Sequence, residues 1–248
     1  MSVIYILWIR QLKRYFRSKT RIVGALGQPM LFLLALGYGL GPVFERAGEG
    51  DYVQFLVPGI ISMSILFTSM FNGIEIIWDR QFGFLKETLV APVSRVRIMM
   101  GRTLGGATVA ILQGMMILGI ALLIGFQFES LSGLPVALLF MILIATLFTA
   151  LGTAIASLLE DMHGFQLIMN FLVMPLFFLS GALFPIQNLP PALGMVVQFN
   201  PLSYGVDGLR GALLGTYDIG FWTDFNVLAL CMVVLVIIGA YLFSKIEV

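Results

Sequence analysis

Six apolar runs constrain this chain more than any other feature: 22–43, 53–77, 103–126, 135–158, 165–184 and 223–244. Each is close to or above the roughly 20 residues that carry a helix across a bilayer's hydrocarbon. At that depth no water is available to the backbone, so such runs fold as helices that satisfy their own N–H and C=O groups. The sequence therefore predicts an all-α polytopic membrane protein with six transmembrane helices. Composition agrees: 59% of the residues are hydrophobic and 11% are charged, against about half and a quarter in soluble domains. Pro29, Pro58 and Pro175 fall inside the runs and predict kinks or local unwinding there.

The charges then orient the runs. Residues 3–21 read as an amphipathic interfacial helix, with Arg10, Arg14, Arg17 and Arg21 on one stripe and Tyr5, Trp8, Leu12, Tyr15 and Phe16 opposite. A basic face against an aromatic face suits a helix in the headgroup region. Lys19 leaves the apolar side, so it must snorkel or the helix must end near it. The segment 78–102 between the second and third spans adds Arg80, Lys86, Arg95, Arg97 and Arg102, and the tail adds Lys245. With six spans, twelve of the fourteen Lys and Arg residues gather on one side, leaving Arg46 and Arg210 for the other. The positive-inside rule places that side, with both termini, in the cytoplasm.

The stretch 185–222 is long, moderately apolar and punctuated by Pro185, Pro190, Pro191 and Pro201. Asn200-Pro201 is a helix start, Asn as cap and Pro at the first helical position. Asp207 and Arg210 follow at a spacing that allows them to pair. We expect a short re-entrant helical hairpin in the outer leaflet. A seventh span over about 191–214 would have to bury Asp207 and Arg210 and send the C-terminus outside.

Several chemistries are excluded. No Gly-Lys dipeptide exists, so the chain lacks the phosphate-binding loop that needs Gly-Lys-Ser/Thr. One histidine, His163, rules out multi-histidine zinc sites and reads as a solvated boundary residue, so no metal site is expected. Net charge of +1 suggests no nucleic-acid partner. An intramembrane lipid-modifying enzyme would need an acid–base pair at depth. The nearest candidate is Glu75, one turn above Asp79, which reads as a snorkelling interfacial side chain. No catalytic residue is assigned.

Three stretches, together with the topology, carry a resemblance over nearly the whole chain. They are Asp79–Arg102 with KETLVAPVSR, LSGALFPIQNLPPAL from Leu179 to Leu193, and NPLSYGVDGLRG from Asn200 to Gly211. In this order they resemble the type-2 permeases of ATP-binding-cassette (ABC) exporters, which include bacterial drug, lipid-linked and polysaccharide export permeases. The resemblance implies a single transmembrane domain over 1–248 that moves an amphiphilic, drug-like or lipid-like substrate out of the cytoplasm or inner leaflet. A polysaccharide or glycolipid cargo is the alternative. It also implies a homodimer in the inner membrane with two copies of a separate ABC ATPase subunit, which would hold the ATP and Mg and leave this chain without a cofactor. Phe84, Leu85, Glu87 and Thr88 match the short cytoplasmic coupling helix. Within that helix, Phe84 and Thr88 share one side, and Leu85 lies on an adjacent one. The substrate path would run along the second and fifth spans, where Asn72, Asn170, Met174, Phe177 and Phe178 are candidates. Helical spacing puts the last four on one broad face. Asn200, Pro201, Asp207 and Arg210 belong to the hairpin, which would form the external lid.

Overall fold

The computed structural model describes residues 2–46, 50–85, 88, 93–186 and 190–246. Among them every regular element is a helix. Helix α1 covers Val3–Arg17 and α2 covers Lys19–Arg46. The two meet at Ser18, so the first helix stops short of the expected 3–21, and of the two outcomes open to Lys19 the nearby helix end is the one found. Arg21 consequently belongs to the second helix and not to the amphipathic first one.

The second run divides. Helix α3 spans Tyr52–Phe71 and α4 spans Ile74–Gln81. The division falls at Asn72-Gly73, where the backbone passes so close to the fourth apolar run that a Cβ on Gly73 would lie 2.3 Å from the carbonyl oxygen of Gly152. Helix α5 covers Arg95–Ile124 and ends on Gly125, whose φ of 111° favours glycine. It begins well before the apolar run, so the last part of the 78–102 segment is already helix. Helix α6 covers Leu134–Leu158, in register with the predicted fourth span.

Helix α7, Met162–Phe178, is capped by Asp161, which accepts from the backbone N–H of Gly164 at 2.6 Å. It has 17 residues, about 25 Å of rise, and stops short of the expected boundary at 184. Asn200 explains part of this: its side-chain amide donates to the carbonyls of Leu176 and Leu179 at 2.7 and 3.0 Å, satisfying the helix end from outside.

The hairpin is two helices, α8 at Pro191–Phe199 and α9 at Pro201–Leu214. Asn200 caps α9 by accepting from Leu202 N–H at 3.0 Å, with Pro201 in the first turn. With the chain broken at Asn200, neither piece is long enough to cross hydrocarbon. Helix α10 closes the chain over Phe221–Ser244.

Among the described residues, five segments are long and apolar enough to span a membrane: Lys19–Arg46, Tyr52–Gln81, Arg95–Ile124, Leu131–Leu158 and Phe221–Ser244, with Met162–Phe178 as a shorter apolar helix. Helix α3 runs through the centre of the bundle, and α2 and α10 lie at its edges with much of their surface open. Small residues let the helices approach, as lipid-embedded packing requires. A Cβ on Gly114 of α5 would meet Ile65 of α3 at 2.8 Å, and one on Gly59 of α3 would meet the Ala182 carbonyl at 2.3 Å.

The charges divide by end. Arg80 reaches Glu160 at 3.1 Å, and Arg95 donates to the carbonyls of Ser244 and Ile246. This brings α4, the α6–α7 turn, the start of α5 and the end of α10 to one basic end. At the other end Tyr52 donates to Leu183 O at 2.9 Å and Gln54 to Gly125 O at 3.2 Å.

Candidate functional site

The basic end is built around two carboxylates on α4. Glu75 and Asp79, one turn apart, both point inward and are 1% and 6% exposed. Arg21 of α2 reaches Glu75 at 2.7 Å and also donates to Asn72 at 3.1 Å. Arg14 of α1 lies 3.4 Å from Glu75, and Arg10 lies 3.6 Å from Asp79. Buried Arg102 of α5 donates to Asp79 from the other side. Four guanidinium groups from three helices thus converge on two acids from a fourth. The reading of Glu75 as a snorkelling interfacial residue is corrected. So is the picture of the arginine stripe turned wholly to headgroups: Arg10 and Arg14 are ligands of the acids. The signal was present in the sequence, since Arg10/Arg14 and Glu75/Asp79 share a spacing of four and can pair rung by rung.

Helix α1 is fixed to α5 along its length. A Cβ on Gly105 would sit 2.7 Å from Gln11, and one on Gly101 would sit 3.0 Å from Leu7. Trp8 Nε1 donates to Thr108 at 3.0 Å, and the Tyr15 hydroxyl donates to Gln113. Burial pushes the Tyr15 phenol above its ordinary range, while the nearby Arg21 charge acts in the opposite sense. Of the aromatic face, Trp8 and Tyr15 therefore contact protein, and Tyr5 and Phe16 are exposed.

Directly beyond Asp79 the chain turns outward. Gly83 adopts a φ of 80°, open to glycine, and ends the α4 direction. Phe82 and Phe84 stand exposed at 71% and 54%, whereas Leu85 is fully buried. Leu85 thus anchors the segment to the fold, and Phe84 presents outward. Phe82 was not singled out from the sequence. The Thr88 hydroxyl donates to Phe84 O at 3.0 Å, one turn of helix spacing. Glu87 lies outside the described residues.

The fifth-span candidates separate. Phe177 is 1% exposed and packs edge-on against Phe32 of α2, with ring centroids 6.2 Å apart. Asn170, Met174 and Phe178 are exposed, continuous with Phe171 and Leu167. The boundary of the packed surface therefore runs through the broad face that the four share, with Phe177 inside it and the other three outside. Asn72 is buried and engaged within the chain, accepting from Arg21 and donating to Gly106 O at 3.2 Å.

At the opposite end Asp207 and Arg210 are both buried, but they do not form the expected pair. Asp207 accepts from the backbone N–H groups of Asp218 and Ile219, each at 2.8 Å, so it ties α9 to the approach of α10. Arg210 donates to Gly181 O at 2.9 Å, lies 3.8 Å from Asp218, and stacks over Phe55 at 4.0 Å. Those longer-range partners outcompete the local spacing rule because they satisfy several donors and acceptors at once.

The chain's relatives include proteins named as transport permeases. Residues 2–214 match the family model described as ABC-2 type transporter. The chain is 28% identical to Nodulation protein J of Rhizobium leguminosarum bv. viciae over 228 residues, 90% of this chain and 86% of the relative. It is 30% identical to Nodulation protein J of Rhizobium leguminosarum bv. trifolii over 198 residues, covering 78% and 74%. Similarity to the inner membrane transport permease YadH of Escherichia coli (strain K12) is 27% over 230 residues, covering 92% and 89%.

Proposed function

We propose, from the premise that this chain belongs to the ABC-2 type transporter family, that its basic end receives a separate ABC ATPase. Two permease copies with two ATPase copies would move an amphiphilic, drug-like or lipid-like substrate outward across the inner membrane. The observation that carries the reading is the exposed Phe82–Phe84 segment joined directly to α4. An exposed aromatic on a turn next to a rigid element suits insertion into a partner's groove. Force applied at Phe84 reaches Glu75 and Asp79 through α4, and through them α1, α2 and α5. ATP and Mg belong to the partner in this reading, and the permease contributes shape and motion.

The test is co-purification with the ATPase. Phe84→Ala should weaken association by about 2 kcal/mol, roughly thirtyfold in Kd, with the permease still folded in the membrane. Glu87→Arg should uncouple transport from ATP hydrolysis. If both variants keep normal ATPase association and normal transport, the docking assignment fails.

For the substrate path, the exposed side of α7 supports Asn170, Met174 and Phe178 as contacts. Phe178→Ala should change which substrates stimulate ATP hydrolysis and leave assembly intact. Phe177→Ala should instead lower thermal stability, as loss of a buried Phe costs about 3–5 kcal/mol. The path is misassigned if Phe178→Ala leaves the substrate profile unaltered.

Orientation follows from the basic end: both termini cytoplasmic, hairpin outside. In a Cys231→Ser background, an impermeant maleimide added outside should modify Phe199→Cys and spare Arg97→Cys, both positions being exposed. Modification of Arg97→Cys from outside would invert the topology.

A further inference from the structure

Between α2 and α3, near the basic end, lies a cleft of about 300 Å³ that the coupling and path assignments leave unused. Arg21, Gly24 and Gln28 form one wall, and Ser64, Phe67 and Phe71 form the other. On each helix these residues span seven positions, so the cleft runs about 10 Å along the helix axes. The helices are antiparallel across it. Arg21 reaches Asn72, the residue after Phe71, so Arg21 and Phe71 share one end. Gln28 and Ser64 mark the other, and Phe67 and Gly24 lie between. A guanidinium thus stands at one end, an apolar floor in the middle, and hydrogen-bonding groups deeper in.

Two observations point to a ligand. Ser64 is 1% exposed, lines the cleft, and its hydroxyl finds no hydrogen-bond partner among the described residues. A buried, unmatched hydroxyl is costly unless something else completes it. The local charge is also incomplete: Arg14 and Arg21 face Glu75 alone, which leaves one positive charge. Arg21 is a third exposed and has further N–H groups, since guanidinium carries five donors. Both walls belong to candidate membrane spans, so the cleft lies within the lipid-embedded part of the fold.

We propose that this cleft holds a glycerophospholipid of the adjoining leaflet, its phosphate on Arg21 and an ester carbonyl at Ser64 and Gln28. The bound lipid wedges α2 against α3 beside the charge cluster. The site stands on the cleft alone and not on the cargo, so its failure would leave the export reading intact.

Gly24 gives a clean test. A Cβ there meets nothing within 4 Å, and the same is true of Gly27, one turn along α2 but outside the cleft. Gly24→Phe therefore starts a side chain into the cleft with no clash at its Cβ, and Gly27→Phe is its matched control. The probe is a phosphatidylglycerol carrying a diazirine near the carbonyl end of one acyl chain, in phosphatidylcholine vesicles containing the full-length permease. Mass spectrometry of the irradiated wild type should find label on peptides covering Arg21–Gln28 and Ser64–Phe71. Gly24→Phe should lose that label and Gly27→Phe should keep it. A diacylglycerol with the same diazirine should label the wild type about tenfold less, as expected for loss of one charge-assisted hydrogen bond. Equal labelling by the two lipids, or unchanged labelling in Gly24→Phe, overturns the proposal. Absence of label in the wild type also overturns it.

Discussion

Gly73→Val should leave a permease that inserts but unfolds far more readily than the wild type, by about 3 kcal/mol or more, at the upper end of overpacking costs. The reason is backbone against backbone. A Cβ on Gly73 would lie 2.3 Å from the Gly152 oxygen and 2.7 Å from its carbonyl carbon. The approach is reciprocal, since a Cβ on Gly152 would lie 2.6 Å from the Met70 oxygen. Neither neighbour is a flexible side-chain tip that could swing away, so α4 and α6 must separate. Gly73→Ala should show a smaller loss of the same kind. Gly119→Val is the control, because a Cβ at Gly119 of α5 meets nothing within 4 Å. The readout is the melting temperature of detergent-solubilised protein by fluorescence-detected size exclusion. If Gly73→Val melts with the wild type and Gly119→Val, the α4–α6 crossing is not a determinant of stability.

That crossing was not legible in the sequence, although both glycines were in view. Hydropathy locates a membrane helix because the cost of exposing backbone to lipid acts on the whole run at once. It gives little about which side of the helix meets protein, because lipid tails and the protein core are both apolar. Phe177 and Phe178 illustrate the loss: adjacent and identical in chemistry, one is buried against Phe32 and the other is exposed. Local chemistry was legible. Asn200-Pro201 starts α9, and Lys19, which had to snorkel or sit near a helix end, lies just beyond the end of the first helix at Arg17. In each case a few neighbouring atoms decide the conformation.

Pairings across the chain were harder to read. Arg210 was matched to Asp207 by spacing, yet it uses Gly181, Phe55 and Asp218. The choice depends on where three other segments lie, which no local rule supplies. The basic end was visible as an excess of cations but was read as a surface. Its burial follows from Glu75 and Asp79, whose charges are costly beside lipid unless paired.

The charge cluster gives the second large effect. Asp79→Ala would leave Arg102 at 6% exposure without its carboxylate. Removing one partner of a buried ion pair costs about 3–5 kcal/mol, since the remaining charge stays desolvated. Arg102→Met should cost less, because Arg10 still lies 3.6 Å from Asp79 and is itself half exposed. The double variant, Asp79→Leu with Arg102→Met, removes both buried charges and replaces them with apolar volume. Buried pairs exchanged in this way are often neutral, so the double variant should recover most of the stability lost in Asp79→Ala. A double-mutant cycle on thermal unfolding in detergent, closed with the single variants Asp79→Leu and Arg102→Met, measures the difference, and a strongly non-additive result is expected. Additive losses would mean that the two residues contribute separately and that the cluster is not a single electrostatic unit. Salt provides an independent check. The pairs made by half-exposed Arg10 and Arg14 weaken as ionic strength rises, while the buried Arg102–Asp79 pair is screened much less. Raising salt should therefore loosen α1 before it loosens α5. Protease access to the α1–α2 junction at Ser18 should then increase while α5 stays protected.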